Sequence, residues 1–191
     1  TESMLRSATA LVAGHVNVAG FYKAKTTDSI PLVTDATALT KFVSDNVEDI
    51  DYIINRGRGW GKIISETGNT QVAMASVDIA AERGLAEQVQ LEMESEYKEG
   101  GRVETLGSVN GLKEPNSILI FREQAKRLGV TVGDMLTISS ETFAGTVNTA
   151  DVRIVAVAKD IGFLSNWNVF VPTQVLIDLY GQSPDTTGAI Q

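Results

Sequence analysis

His15 is the single histidine of this 191-residue chain, and the chain has no cysteine. Proton exchange and nucleophilic attack near neutral pH draw mostly on those two side chains, so the catalytic repertoire is narrow. His15 stands in Gly14-His15-Val16, opening an apolar stretch where a histidine bonded to backbone or water is the ordinary occupant. A triad built on it needs an activated serine, and no Gly-x-Ser-x-Gly elbow supplies one. The run Gly57-Arg58-Gly59-Trp60-Gly61-Lys62 has the composition of a phosphate loop but the wrong spacing. Arg56 stands where a Walker loop needs its first glycine, Ile63 follows the lysine in place of Ser or Thr, and Lys62 stands where a dinucleotide fingerprint needs Gly. These glycines read as a strand end or bulge that uses unusual dihedrals. Glu92, Glu94 and Glu96 lack the loop and glycine turn of a calcium site and read as a solvated acidic face. They also define one rival activity, a hydrolase working through paired carboxylates. Phe143, the Phe163-Leu164 pair and Trp167 are apolar groups at expected loop tips, the candidate contacts for a partner. No catalytic residue, cofactor site or metal site is predicted.

Composition bounds the rest. Twenty-four acidic against sixteen basic residues give a formal charge of -8. No stretch gathers the Lys and Arg density that would release counterions from a phosphate backbone, so nucleic acid is not an expected partner. The 43% apolar content suits a packed core. No apolar run reaches the ~18 residues of a membrane span, and no charged n-region precedes an apolar h-region. Both ends read as cut: Met4, Leu5, Ala8, Leu11 and Val12 fall at helical spacing, and Ala189-Ile190 reads as the start of a strand.

Along the chain, residues 15–22 read as a strand, and Asp35 is placed to cap a helix whose stripe is Leu39, Phe42, Val43 and Val47. Ile50, Tyr52 and Ile54 alternate as a second strand, completing a βαβ unit. Ile63-Ile64, Gly68-Asn69 and residues 72–79 read as an antiparallel hairpin. Residues 82–104 hold seven Glu against three basic residues and fit helix and strand templates alike. Residues 118–121 form a buried strand leading to a short helix stopped by Gly129, then a Gly133-Asp134 turn and a strand from Leu136. A polar loop at 141–151, a strand at 152–158 and a strand at 169–171 follow; Pro172 then opens a helix that Gly181 ends. No repeat of solenoid length is visible.

The stretch ILIFREQAKRLGVTVGDMLTI closely resembles the signature of the MacB-like periplasmic core domain of FtsX/MacB/LolE-type ABC transporter permeases. The matching positions are Ile118, Leu119, Ile120, Ala125, Leu128, Gly129, Val130, Val132, Gly133, Asp134, Leu136 and Ile138, with Phe121 standing where that family usually has Gly. Gly14-His15-Val16, Val77-Asp78 and Val169-Phe170-Val171-Pro172 with Leu176 resemble further family pieces in family order. The resemblance implies an α+β fold: a porter-like lobe of βαβ elements with an inserted smaller mixed α/β (Sabre-like) lobe. On that plan residues 1–14 continue a membrane helix, 15–60 with 167–191 form the porter-like lobe, and 61–166 form the inserted lobe. It further implies a non-enzymatic domain on the periplasmic or extracellular side of the cytoplasmic membrane, coupling ATP-driven movement of a permease dimer to export, efflux or partner engagement. Its partners would be a second permease subunit, a cytoplasmic ATPase subunit or domain, and a periplasmic protein or cargo. The short connection at 141–151 departs from lipoprotein-releasing relatives, which carry a protruding hairpin there. A regulatory ectodomain that activates a cell-wall hydrolase is the alternative from the same family.

Overall fold

A computed structural model describes residues 16–23, 30–82 and 84–191. His15 and the 1–14 segment lie outside the described residues, as does the Leu164 side chain. The architecture is α+β, centred on a closed six-stranded barrel.

Two hairpins start it. β4 (Arg58–Ile64) pairs antiparallel with β5 (Asn69–Val77), and β7 (Met135–Glu141) pairs antiparallel with β8 (Val147–Ala158). β6 (Ser117–Phe121) and β9 (Asn168–Pro172) fill the remaining places, giving the closed order β4-β5-β9-β6-β8-β7. The barrel has an internal two-fold relation. Each half is a hairpin, a connector, a strand and a helix that stops at a left-handed glycine: β4, β5, β6 and α4 (Arg122–Leu128) before Gly129, then β7, β8, β9 and α5 (Thr173–Tyr180) before Gly181. Exchanging the halves maps every pairing onto another, parallel β5-β9 onto parallel β8-β6, with antiparallel β6-β9 and β4-β7 mapping onto themselves. Leu119 faces Phe170 across β6-β9, near the axis.

Apolar alternation explains the two layers. Ile63, Val72, Met74, Ile118, Ile120, Leu136, Ile138, Val152 and Val169 fill the barrel together with Ala125, Leu128, Leu176 and Leu179 of the two helices. The opposite faces of β5, β6, β8 and β9 carry Ala75, Val77, Leu119, Phe121, Ala156 and Phe170, covered by Leu85, Val89, Val109 and Leu112 of the 78–116 connector. β6 is therefore buried along its whole length. Phe121, the departure from the family glycine, is absorbed here, its ring 6.3 Å from that of Phe170.

Outside the barrel, β1 (Phe21–Tyr22) pairs with β2 (Ile30–Pro31), and β3 (Asn55–Arg56) pairs antiparallel with β10 (Ala189–Ile190). Ile190 also bridges Val18, so the C-terminal strand lies between the two arms of the N-terminal strand, helix and strand. The helix is α1 (Ala36–Asn46). Its cap differs from expectation. Asp35 makes no side-chain cap bond; Asp185, far along the chain, accepts from the Thr37 N–H at 2.9 Å and the Thr37 hydroxyl at 2.6 Å.

Three more expectations are corrected. The second strand is only Asn55–Arg56, and Ile50 and Tyr52 lie before it, exposed. The polar loop at 141–151 is mostly strand, because β8 begins at Val147 and the turn spans only 142–146; Asn148, Thr149 and Asp151 face solvent, so no apolar period marks them. Residues 82–104 combine both templates, with α2 (Leu85–Gln88) and α3 (Glu94–Tyr97) flanking an extended 89–93.

Candidate functional site

The glycine run starts at Gly57, just before β4, and continues along it, and none of its three glycines has a positive φ. They are required for space instead. A Cβ on Gly59 would stand 2.7 Å from the Tyr180 ring, and one on Gly57 would stand 2.6 Å from the Ser76 hydroxyl and 3.3 Å from Leu176. The missing side chains let α5 lie directly on the strand. Tyr180 Oη then accepts from the Trp60 N–H at 2.9 Å and donates to the Trp60 carbonyl at 2.8 Å. What looked like a ligand loop is a helix seat.

Charged side chains gather in two places. At the first, Arg56 of β3 donates from Nη1 to the Ser76 carbonyl (2.8 Å) and Glu82 Oε1 (2.9 Å), and from Nη2 to Glu82 Oε2 (2.7 Å). Both side chains are buried. This fork joins the outer β3-β10 pair to barrel strand β5 and to the start of the 78–116 connector. Beside it runs a crevice of about 560 Å³ whose walls include Thr37, Asn55, Asp78, Glu82, Thr173 and Asp185.

The second place holds the three alternating glutamates, which do not form one solvated face. Glu94 pairs with Lys98 at 2.8 Å and Arg102 at 3.2 Å; the Lys98 bond, then the Arg102 N–H, hold its carboxyl down at about 2. Glu94 and Asp134 both line a hollow of about 230 Å³. Glu96 pairs with Lys159 at 2.9 Å. Glu92 is fully buried, 3.4 Å from Arg122 Nη1. Among the described residues no group of three or more His, Asp or Glu could hold a metal ion.

The aromatic candidates fall at two separate tips. Phe143, in the β7-β8 turn, stacks on Tyr180 with centroids 5.4 Å apart and planes 22° apart, so it half-covers the end of α5. Phe163, in the short 3-10 turn Gly162–Asn166, lies 6.5 Å from the Trp167 ring and is 72% exposed; Trp167 is 45% exposed. Trp60 is 70% exposed on the outer face of β4 and escaped notice in the sequence because it sits among glycines. Its signal was the alternation itself: even positions of β4 point out, odd positions in.

No family model matches the sequence, and no curated protein matches it. Solved structures are similar to it. The extracellular domain of the ABC-type transporter YknZ from Gram-positive bacteria is similar with a TM-score of 0.50 at 13% identity, over 82% of this chain and 68% of that one. The fold is shared with that extracellular domain. The periplasmic region of MacB from Actinobacillus actinomycetemcomitans (TM-score 0.47, 11% identity, 88% of this chain and 66% of that one) is also similar. So is a permease domain from Porphyromonas gingivalis (0.48, 13%, 91% and 71%). This chain spans about two thirds of the length of the structures it matches. At these identities the likeness to permease ectodomains is one of fold alone.

Proposed function

We propose that this chain is the extracytoplasmic domain of an ABC transporter permease, coupling ATP-driven movement of a membrane dimer to export, efflux or partner engagement. Two observations support the reading: the fold is shared with the extracellular domain of YknZ, and the stretch that resembles the family signature falls on the β6-α4-β7 part of the barrel. The work is mechanical and not enzymatic. Its partners are a second permease subunit, a cytoplasmic ATPase reached through the membrane region, and a protein or cargo in the envelope. Among the described residues no helix is long and apolar enough to cross a membrane.

Strand pairing supports drawing the inserted lobe around the barrel, residues 58–180, wider than 61–166. The porter-like lobe then comprises residues 16–23 and 30–56 with 182–191, and the Arg56–Glu82 fork lies at its junction with the barrel. A regulatory ectodomain that captures a hydrolase is favoured by one feature, the exposed Phe163 and Trp167 tip. Phe143, seated on Tyr180, is the weaker contact, and Leu164 belongs to the same tip as Phe163 by position in the chain.

The test uses the full-length protein in intact cells. Val103 is 81% exposed, and this chain has no cysteine, so Val103→Cys introduces one accessible thiol into the domain. A membrane-impermeant maleimide added outside should label it once any outer barrier is opened. Labelling that appears only after the cytoplasmic membrane is broken contradicts the proposed location.

A further inference from the structure

Residues 90–92 and 105–107 are stitched to the outside of β8. Glu92 N–H donates to the Val157 carbonyl (2.9 Å), Leu106 N–H to the Glu92 carbonyl (2.8 Å), Val157 N–H to the Leu106 carbonyl (3.0 Å) and Lys159 N–H to the Gln90 carbonyl (2.8 Å). This register drives the Glu92 side chain inward beneath α4, where it has no solvent contact and neither carboxylate oxygen accepts a hydrogen bond among the described residues. An ionised carboxylate in that position is costly, because its lost hydration is not replaced by donors.

The surroundings do not neutralise it. Facing it are Arg122 of α4, Glu96 of α3, and Lys159 and Asp160 just after β8, with Glu123 beyond Arg122. Arg122 Nε is already bonded to Asp160 at 3.1 Å, and Lys159 to Glu96 at 2.9 Å. Glu123 also pairs with Lys126 of α4 at 3.8 Å, so the three carboxyl groups of Glu92, Glu96 and Asp160 share the two cations Arg122 and Lys159. Lys159 holds the charge on Glu96, which leaves Glu92 as the member of the pair that keeps a proton, and a protonated Glu92 supplies its own donor to Glu96.

We propose that Glu92 and Glu96 form a one-proton latch: with its proton, Glu92 holds residues 90–107 against β8, and losing it loosens this segment while the barrel stays closed. The segment contributes Leu91 to the edge of the outer apolar layer, so the latch acts at the border of that layer, whose main cover is Leu85, Val89, Val109 and Leu112. Two directions agree with the geometry. Burial, and then the neighbouring Glu96, push the Glu92 carboxyl up; Lys159, and then Glu92, hold the Glu96 carboxyl down. A carboxyl raised in the folded state contributes stability that is present below its ordinary pKa and lost as pH rises through the raised value. Between those two values local opening grows about tenfold per pH unit. The inference concerns side chains of this chain and stands whether or not the permease reading holds.

The test is amide hydrogen exchange, corrected for its intrinsic pH dependence, at Glu92, Leu106 and Val157, with the barrel amide of Ile154 as internal standard. The expected result is protection that falls about tenfold per pH unit from the ordinary carboxylate range up to the raised Glu92 value, and then levels off, at the three sites but not at Ile154, and no such fall in Glu92→Gln, whose amide donates to Glu96 at every pH. An equal pH dependence in Glu92→Gln, or none in the unsubstituted chain, overturns the latch. Should Glu92→Gln not fold, carboxyl-carbon titration of the unsubstituted chain decides: Glu92 must titrate above Glu96, and both titrating together in the ordinary range overturns it.

Discussion

At the scale of single residues, two side-chain arrangements carry sharp consequences. The Arg56–Glu82 fork is buried on both sides, so Glu82→Ala strands an uncompensated guanidinium. The expected loss is about 3–5 kcal/mol in denaturant unfolding. Glu82→Gln, which keeps an acceptor, should lose less; equal losses would show that packing and not charge is at stake. Gly59 gives the second. A methyl there meets the Tyr180 ring, so Gly59→Ala should cost about 1–3 kcal/mol. Tyr180→Leu should relieve part of that cost in the double variant, and simple additivity of the two losses would refute the contact. Neither arrangement was legible in the sequence. The glycines were visible, but their reason, a helix seated on a strand, depends on a contact about 120 residues away in the chain. Glu92 was visible as part of an acidic run; its burial follows from strand register, which composition does not carry.

At the scale of elements, local signals served where an element is held by its own period and stops. β6, α4 with Gly129 at φ 63°, the 133–134 turn and α5 with Gly181 at φ 62° were all readable, because alternation, helical spacing and left-handed glycines are written in adjacent residues. Elements held by distant partners were not. β3 is short because its pairing is with β10, and α1 is capped by Asp185 and not by Asp35. The Asp185 carboxyl is held below its usual range by the Thr37 hydroxyl, then the Thr37 N–H. A lowered carboxyl contributes stability that is present above its ordinary pKa and lost as pH falls through the lowered value. Protection of the Thr37 amide should therefore fall on acidification, and should be lower at neutral pH in Asp185→Ala. A Thr37 amide indifferent to both changes would remove Asp185 as the cap. This acid-side loosening of α1 is opposite in sign to the base-side loosening at Glu92, which keeps the two effects separable in one titration.

At the scale of the whole molecule, the barrel's two-fold relation is not written in the sequence as a repeat. The halves share an order of strands and helices, while their connectors, 78–116 and 159–167, differ in length and content. The stretch that resembles the permease signature spans β6, α4 and the first part of β7, and the fold it implied is shared with a solved extracellular domain only 13% identical to the chain. What the fold provides is a closed barrel joined through a buried ion pair to a smaller sheet, and the proposed coupling would run through that junction. Mechanical coupling is the central claim, and paired spin labels test it most directly. With Thr149→Cys, on the exposed part of β8, labelled in both copies of the full-length permease reconstituted with its ATPase, the distance distribution between the two labels should shift on ATP binding and return after hydrolysis. A distribution unmoved by nucleotide, in a transporter that still hydrolyses ATP and moves its cargo, would contradict the account.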